Sequence, residues 1–267
     1  MLSILPLYLA IGGVAGILAG LLGIGGGLVI VPMLVACFGW QQGFPANSIM
    51  HLALGTSMAS IVFTSVSSFL SHHKRGAVLW PVVRRITPGI LVGTLGGTFL
   101  ASSLPSRFLQ GFFSIFLVYV GLQMVRNLRP EPSRQLPGLA VMFGAGGIIG
   151  VISSLVGIGG GTLSVPFMLW CNIGVHQAIG TSAAIGFPIA VAGTVGFIVN
   201  GLAGPPLPVH SLGYVYLPAL VGLVAASVVT APFGVRLAHR LPVPKLKRGF
   251  AYLLFATAGK MLWGVFF

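Results

Sequence analysis

The residues best suited to chemistry in this sequence are two glycine clusters that interrupt apolar stretches. The first reads Gly23-Ile24-Gly25-Gly26-Gly27, and the second, 134 residues later, reads Gly157-Ile158-Gly159-Gly160-Gly161. A helix that restarts after such a break presents free N–H groups and the positive end of its dipole, which together bind anions. The alternative is that the glycines only allow two helices to cross closely. No lysine follows either cluster, so neither is a nucleotide-binding loop.

A second repeated motif adds hydroxyl groups and a histidine. His51-Leu52-Ala53-Leu54-Gly55-Thr56-Ser57 returns as His176-Gln177-Ala178-Ile179-Gly180-Thr181-Ser182. The hydroxyls can donate to an oxyanion, or they can bond back to carbonyls of their own helix. The histidines can donate as neutral rings or attract an anion when protonated, unless they simply lie at the membrane interface. The further candidate binding residues are Thr56, Ser57, Thr181, Ser182, His51 and His176.

Several residue types are scarce, and their scarcity excludes whole classes of site. The chain has no Asp, one Glu (Glu131) and two cysteines, Cys37 and Cys171. Carboxylate-based cation sites, metal clusters, Ser-His-Asp triads and paired acids for hydrolysis therefore cannot be built. We expect no catalytic residues, no enzyme activity, no cofactor and no metal.

The composition indicates a protein whose surroundings are lipid. Of 267 residues, 56% are hydrophobic and only 6% are charged, whereas soluble domains carry about 25% charged residues. Apolar runs of roughly 20 residues recur, which is the length of a membrane-spanning helix. The 14 Lys and Arg residues are better explained by loops that fix membrane topology than by nucleic-acid binding. We expect a multi-pass membrane protein, with Met1–Leu22 retained as a membrane segment.

The repeated motifs predict that residues 1–129 and 130–267 are two transmembrane repeats of one integral membrane domain. Each repeat would contain a glycine-broken helical hairpin, at about 4–38 and 137–171. Three ordinary helices would follow each hairpin. Their expected ranges are 49–71, 80–101 and 107–126 in the first repeat, and 177–199, 212–235 and 245–266 in the second. The fold class is therefore all-α integral membrane.

The distribution of basic residues predicts how the repeats face. If all eight apolar stretches crossed once, the basic loop residues would divide 7 to 6 between the two sides. If each broken stretch instead enters and leaves on one side, 12 lie on that side and Arg107 lies alone on the other. The positive-inside rule favours the second arrangement, which inverts one repeat relative to the other. Lys260, within the last helix, can extend its charge to the interface.

The paired motifs resemble those of the TauE/SafE sulfite exporter family. In each half Gly-x-Gly-Gly-Gly is followed by Pro (Pro32 and Pro166), and Ala-x-Gly-Thr-Ser comes later. The resemblance covers nearly the whole chain. It implies a transporter of sulfite, organosulfonates or related sulfur-containing anions, in the plasma membrane of bacteria.

Together, the residues and the resemblance predict a secondary transporter or exporter of a small sulfur-containing oxyanion that works by alternating access. We expect the two donor-rich half-helices to hold one dianion near the bilayer midplane. A passive anion channel and a non-transporting membrane scaffold are the alternatives. The direction of transport, the coupling ion and the formation of a homo-oligomer stay open.

Overall fold

The structure, a computed structural model, describes residues 5–22, 26–126, 136–238 and 243–266. Ten α-helices lie within these residues. Their bounds are α1 (Leu5–Leu22), α2 (Gly27–Trp40), α3 (Ile49–Lys74), α4 (Trp80–Ser103), α5 (Ser106–Arg126), α6 (Leu139–Val156), α7 (Gly161–Trp170), α8 (Val175–Leu202), α9 (Leu217–Ala238) and α10 (Val243–Phe266). A short 3-10 turn, Ala46–Ser48, precedes α3, and strands β1 (Ser211–Leu212) and β2 (Val215–Tyr216) pair before α9.

Five of the described helices are long and apolar enough to cross a membrane: α3 with its preceding turn, α4, α5, α6 and α8. The second arms of the two hairpins are shorter. At about 1.5 Å per residue, the 14 residues of α2 and the 10 residues of α7 fall short of the roughly 30 Å hydrocarbon core. The protein is thus an all-α, multi-pass membrane protein, as the sequence predicted.

The predicted helix ranges agree with the structure to within three residues at most ends. One prediction is wrong: the helix expected from residue 212 begins at Leu217, because the preceding residues form the β1–β2 hairpin. Gly213 supports that hairpin with a φ of +53°, and the Tyr214 N–H donates to the carbonyl of Phe197 at 3.1 Å. These contacts remove residues 211–216 from the helix and bury Tyr214 against α8.

The first arm of each hairpin packs along a helix of the other half of the chain. Helices α4 and α6 run parallel, with Gly89 facing the backbone of Phe143 and Gly97 facing that of Val151. Helices α1 and α9 also run parallel, with Gly12 facing Leu223 and Gly16 facing Ser227. Glycine permits such close backbone contact between membrane helices. The two halves therefore interlock instead of forming separate bodies.

Helices α3 and α8 form the centre of the molecule and run antiparallel. Gly55 of α3 lies against Phe197 of α8, and Met58 further along α3 lies against the earlier Gly193. Among the five long apolar helices, α3 is the most deeply enclosed. The central pair carries both Gly-Thr-Ser motifs, and so positions them next to the hairpins.

Candidate functional site where the hairpins meet

The second glycine break reverses the chain through two left-handed glycines. Gly157 has φ +69° and ψ +37°, and Gly160 has φ +73° and ψ −6°. Residues with a β-carbon pay roughly 1–2 kcal/mol for such backbone angles, so the turn needs glycine at both positions. The four residues from Gly157 to Gly160 are buried, which places the break inside the protein.

The start of α2 lies directly against this break. A β-carbon on Gly27 would stand 2.5 Å from the carbonyl oxygen of Gly157 and 3.1 Å from the Cα of Ile158. Only glycine allows this approach. The two breaks therefore come together at Gly26 and Gly27, which are buried; the predicted binding residues Gly23 and Gly25 lie outside the described residues.

Two of the four carbonyl groups of the second break, those of Gly157 and Gly160, already accept hydrogen bonds. The Gly157 N–H caps α6 by donating to the Ser153 carbonyl. The Ser57 hydroxyl of α3 donates to the Gly157 carbonyl at 2.9 Å. The Gly160 carbonyl accepts both the N–H of Ser164, at 2.8 Å, and its hydroxyl, at 2.9 Å. These two carbonyls, and that of Ser153 at the end of α6, are therefore satisfied within the protein.

Several donors at the same place have no partner among the described residues. The hydroxyls of Ser153 and Thr162 are unpaired, although Ser153 is 0% and Thr162 only 7% exposed. The Ser153 Oγ lies 3.4 Å from the point that a β-carbon on Gly160 would occupy. At the start of α7, no described carbonyl accepts the N–H groups of Gly161 and Thr162. The break is thus rich in free donors, which suits an anion.

Comparison with known proteins identifies the family of the chain. The family model described as sulfite exporter TauE/SafE matches residues 8–261, which include both breaks and both Gly-Thr-Ser motifs. The chain belongs to the TauE/SafE family. The resemblance inferred from the paired motifs is confirmed.

Individual TauE/SafE relatives carry transporter names. A probable membrane transporter protein of Haemophilus influenzae is 40% identical over 263 residues, covering 98% of this chain and 99% of the relative. A probable membrane transporter protein of Methanocaldococcus jannaschii is 26% identical over 250 residues, covering 92% and 91%. A probable inner membrane transporter protein of Comamonas testosteroni, TsaS, is 27% identical over 184 residues, covering 67% and 71%. This TauE/SafE protein is therefore a membrane transporter with a small-molecule substrate.

In this TauE/SafE protein the two motif threonines dock backbone from the opposite half. Thr56 Oγ1 accepts the N–H of Tyr216, just before α9, at 3.0 Å. Thr181 Oγ1 accepts the N–H of Leu79, just before α4, at 2.9 Å. Both threonines are completely buried. Their hydroxyls therefore hold the starts of α9 and α4 in place.

The glycine before each threonine allows the same backbone segment to pack closely against the helix. Gly55 faces the backbone carbonyl of Tyr214, and Gly180 faces that of Ala77, both too closely to admit a β-carbon. Since Tyr214 precedes Tyr216 by two residues, as Ala77 precedes Leu79, the two docking sites correspond under the repeat. The motif is thus explained by contacts between the halves.

The motif serines, by contrast, both reach the second break. Ser57 bonds the Gly157 carbonyl, as described above, from α3. Ser182 of α8 shares a 2.7 Å hydrogen bond with the hydroxyl of Ser164 in the first turns of α7. The two serines therefore hold the break between the central helices α3 and α8.

The two predicted histidines have different surroundings. His51 is 4% exposed, stacks on Tyr214 with ring centroids 5.0 Å apart, and donates from Nε2 to the Ala101 carbonyl at 3.0 Å. Its Nδ1 has no partner within the described part of the chain. His176 is exposed at the start of α8. Because Ser57 lies six residues further along α3, His51 is roughly 9 Å along the helix from the break.

Lys260 lies away from the breaks. It lines a cleft of about 250 Å³ between α2, α5 and α10, together with Gln110 and Thr257. Its ammonium group stands 5.4 Å from the ring centre of Trp40, and both side chains are exposed. The cleft therefore belongs to the periphery of the molecule.

The sequence reasoning missed Ser153 and Thr162. A difference between the two repeats points to both residues. With the 134-residue offset, Ser153 corresponds to Ala19 and Thr162 corresponds to Leu28. The second break is therefore flanked by hydroxyl groups where the first is flanked by apolar side chains. Comparing the repeats for their differences, and not only for their matches, would have identified both residues.

Proposed function

We propose that this protein is a secondary transporter of a small sulfur-containing oxyanion, which it binds at the second glycine break. The observation that carries the proposal is the pair of unpartnered, buried hydroxyls of Ser153 and Thr162 beside the first turn of α7. A buried polar group without a hydrogen bond is costly, so a ligand that accepts from both hydroxyls stabilises the site.

The chemistry of the site favours an anion over a cation. An oxyanion presents several acceptor oxygens, and hydrogen bonds to an ionised acceptor are roughly twice as strong as neutral ones. The two hydroxyls and the N–H groups of Gly161 and Thr162 are the donors offered to it. A cation would need several carbonyl or carboxylate oxygens, but the carbonyls of Ser153, Gly157 and Gly160 already accept hydrogen bonds. That leaves the carbonyls of Ile158 and Gly159 at the break, and the sequence places no carboxylate near it.

We further propose that residues 1–129 and 130–267 are inverted repeats whose relative rocking alternates access to the site. The antiparallel central helices α3 and α8, and the exchange of hairpin arms between halves, support this arrangement. Because the break is buried, substrate entry requires such a movement. Of the residues predicted from sequence, we propose that the break glycines, Ser57 and Ser182 shape the site, and that Thr56 and Thr181 couple the halves.

Counterflow in proteoliposomes tests this function. Vesicles are loaded with unlabelled sulfite, labelled sulfite is added outside, and methanesulfonate, thiosulfate, sulfate and acetate are offered as competitors. The proposal predicts saturable, protein-dependent accumulation that a subset of the sulfur oxyanions blocks and acetate does not. Absence of any protein-dependent uptake, with protein shown to be folded, would contradict it.

The same vesicles separate a carrier from a passive channel. A carrier with a buried site accelerates labelled uptake when substrate is present on the opposite side, and its flux saturates. A channel shows neither property. A non-transporting scaffold gives no flux, and substrate does not raise its thermal stability.

A further inference from the structure

The helices that build the site carry no charged side chain. The sequence contains no Lys, Arg, Asp or Glu in residues 1–73 or 135–235. These segments include α1, α2, α6, α7, α8 and nearly all of α3. Every lysine and arginine side chain that the structure describes is exposed: Lys74, Arg75, Arg84, Arg85, Arg107, Arg126, Arg248 and Lys260. No full positive charge from a described side chain is therefore buried beside a bound anion.

The positive potential at the site comes instead from helix termini. A helix N-terminus is equivalent to roughly +0.5 of an elementary charge. Two such termini converge here, since α7 begins at Gly161 and α2 begins at Gly27, which lies against Gly157. Together they supply about one positive charge. The carbonyl end of α6, at Val156 beside the break, offsets part of this with roughly −0.5 of a charge, because the Gly157 and Ile158 N–H groups cap only its Ser153 carbonyl.

This charge balance limits the charge that a substrate can bring. The cost of removing an ion from water rises with the square of its charge, so a dianion costs roughly four times as much as a monoanion of equal size. Helix ends worth at most about one positive charge offset much of the charge of a monoanion, and they leave at least one full negative charge of a dianion uncompensated in a dry interior.

We propose that the site selects singly charged sulfur oxyanions, namely sulfonates and hydrogensulfite, and rejects the dianions sulfite, sulfate and thiosulfate. This inference rests on the proposed transport function and replaces the dianion expected from the sequence. One consequence concerns protons: a transporter that carries hydrogensulfite moves one proton with each anion. Its flux then depends on pH through the substrate, without a carboxylate in the transport path.

Three labelled substrates in the counterflow assay test the charge selectivity. Methanesulfonate is a monoanion and sulfate a dianion throughout the range from about pH 6 to about pH 8, whereas sulfite changes between its two forms there. We expect methanesulfonate exchange to stay constant and sulfate exchange to equal that of protein-free vesicles. Sulfite exchange, measured at limiting total sulfite, should fall by about tenfold per pH unit once hydrogensulfite is the minor form.

Methanesulfonate also serves as the control for titration of the protein. If titration of a protein side chain changes the exchange rate, the change appears in the pH profile of methanesulfonate exchange. Dividing the sulfite rate by the methanesulfonate rate at each pH removes it. The groups concerned on helices around the site are His51, His72, His73 and His176, with Cys37 on α2 and Cys171 after α7.

The outcomes separate this inference from the function on which it rests. Sulfate exchange as fast as methanesulfonate exchange, or a corrected sulfite flux independent of pH, would overturn the charge selectivity and leave the transporter standing. Failure of all three anions to exchange would overturn the sulfur-oxyanion function itself, and the inference with it.

Discussion

The two glycine breaks have the same sequence but different flanking residues, and we propose that this difference locates the substrate site. Around the second break stand the hydroxyl residues Ser153, Thr162 and Ser164; the first has Ala19, Leu28 and Ile30 at the equivalent positions. Leu28 and Ile30 are fully buried in the apolar core. The glycines thus give both breaks the same ability to turn and to pack closely. At these three positions only the second break has hydroxyl side chains.

The Gly-Thr-Ser motifs, unlike the breaks, have equivalent surroundings in the two repeats. Thr56 and Thr181 make equivalent hydrogen bonds to backbone of the other half, at 3.0 and 2.9 Å. The threonines that both repeats share are explained by assembly of the fold. We propose that the hydroxyls of Ser153 and Thr162, which only the second repeat carries, bind the substrate. Each of the following variants tests one side of this contrast.

The largest effect is expected for Gly160→Leu. The side chain would meet Ile189 and the left-handed backbone of Gly160 would be strained, so the first turn of α7 must move. The substrate then loses its contacts with the hydroxyls of Ser153 and Thr162, each worth roughly 1.5–3 kcal/mol to a charged partner. We expect counterflow at limiting substrate to fall by at least about a hundredfold. Gly96→Leu is the matched control, because nothing lies within 4 Å of its β-carbon position. Normal flux from Gly160→Leu would remove the break from the mechanism.

Thr162→Val should weaken substrate affinity without weakening the fold. The hydroxyl has no partner among the described residues, so its replacement by a methyl group leaves nothing unsatisfied. We expect the apparent KM to rise by about tenfold to a hundredfold, while the unfolding temperature in detergent stays the same or rises. An unchanged KM would show that Thr162 does not contact the substrate.

Thr56→Val and Thr181→Val should weaken the fold without weakening substrate affinity. Each change leaves one N–H, that of Tyr216 or Leu79, without its acceptor. We expect each to destabilise the protein by about 1–3 kcal/mol, seen as a lower unfolding temperature, with the KM of the folded protein unchanged. A KM increase like that of Thr162→Val would place these threonines in the substrate site.

The smallest effects separate the two histidines. His51→Gln should lower stability by about 1 kcal/mol, because the ring packs on Tyr214 and bonds the Ala101 carbonyl. His176→Gln, at an exposed position, should stay within about 0.5 kcal/mol of the wild type. Thermal unfolding measures both. Equal losses would mean that the histidines are equivalent after all.

Much of the fold could be predicted from the sequence. Membrane-spanning helices are recognisable as long apolar runs, and the breaks in them are recognisable as glycine clusters. The start of α9 could not, since residues 211–216 leave the helix for a tertiary reason, the packing of Gly213 and Tyr214 on α8. The site was predicted only in outline. A hydroxyl in sequence does not reveal whether it already has a partner, and that distinguishes Thr162 from Thr56 and Thr181.

The most direct measurement is equilibrium binding of labelled methanesulfonate to purified protein carrying Ser153→Ala and Thr162→Val together. Thermal unfolding first shows that the double variant is folded, as expected for hydroxyls that have no partner among the described residues. The account predicts that binding falls at least about a hundredfold relative to the wild type. Wild-type affinity in the folded double variant would contradict the central claim that the second break is the anion site.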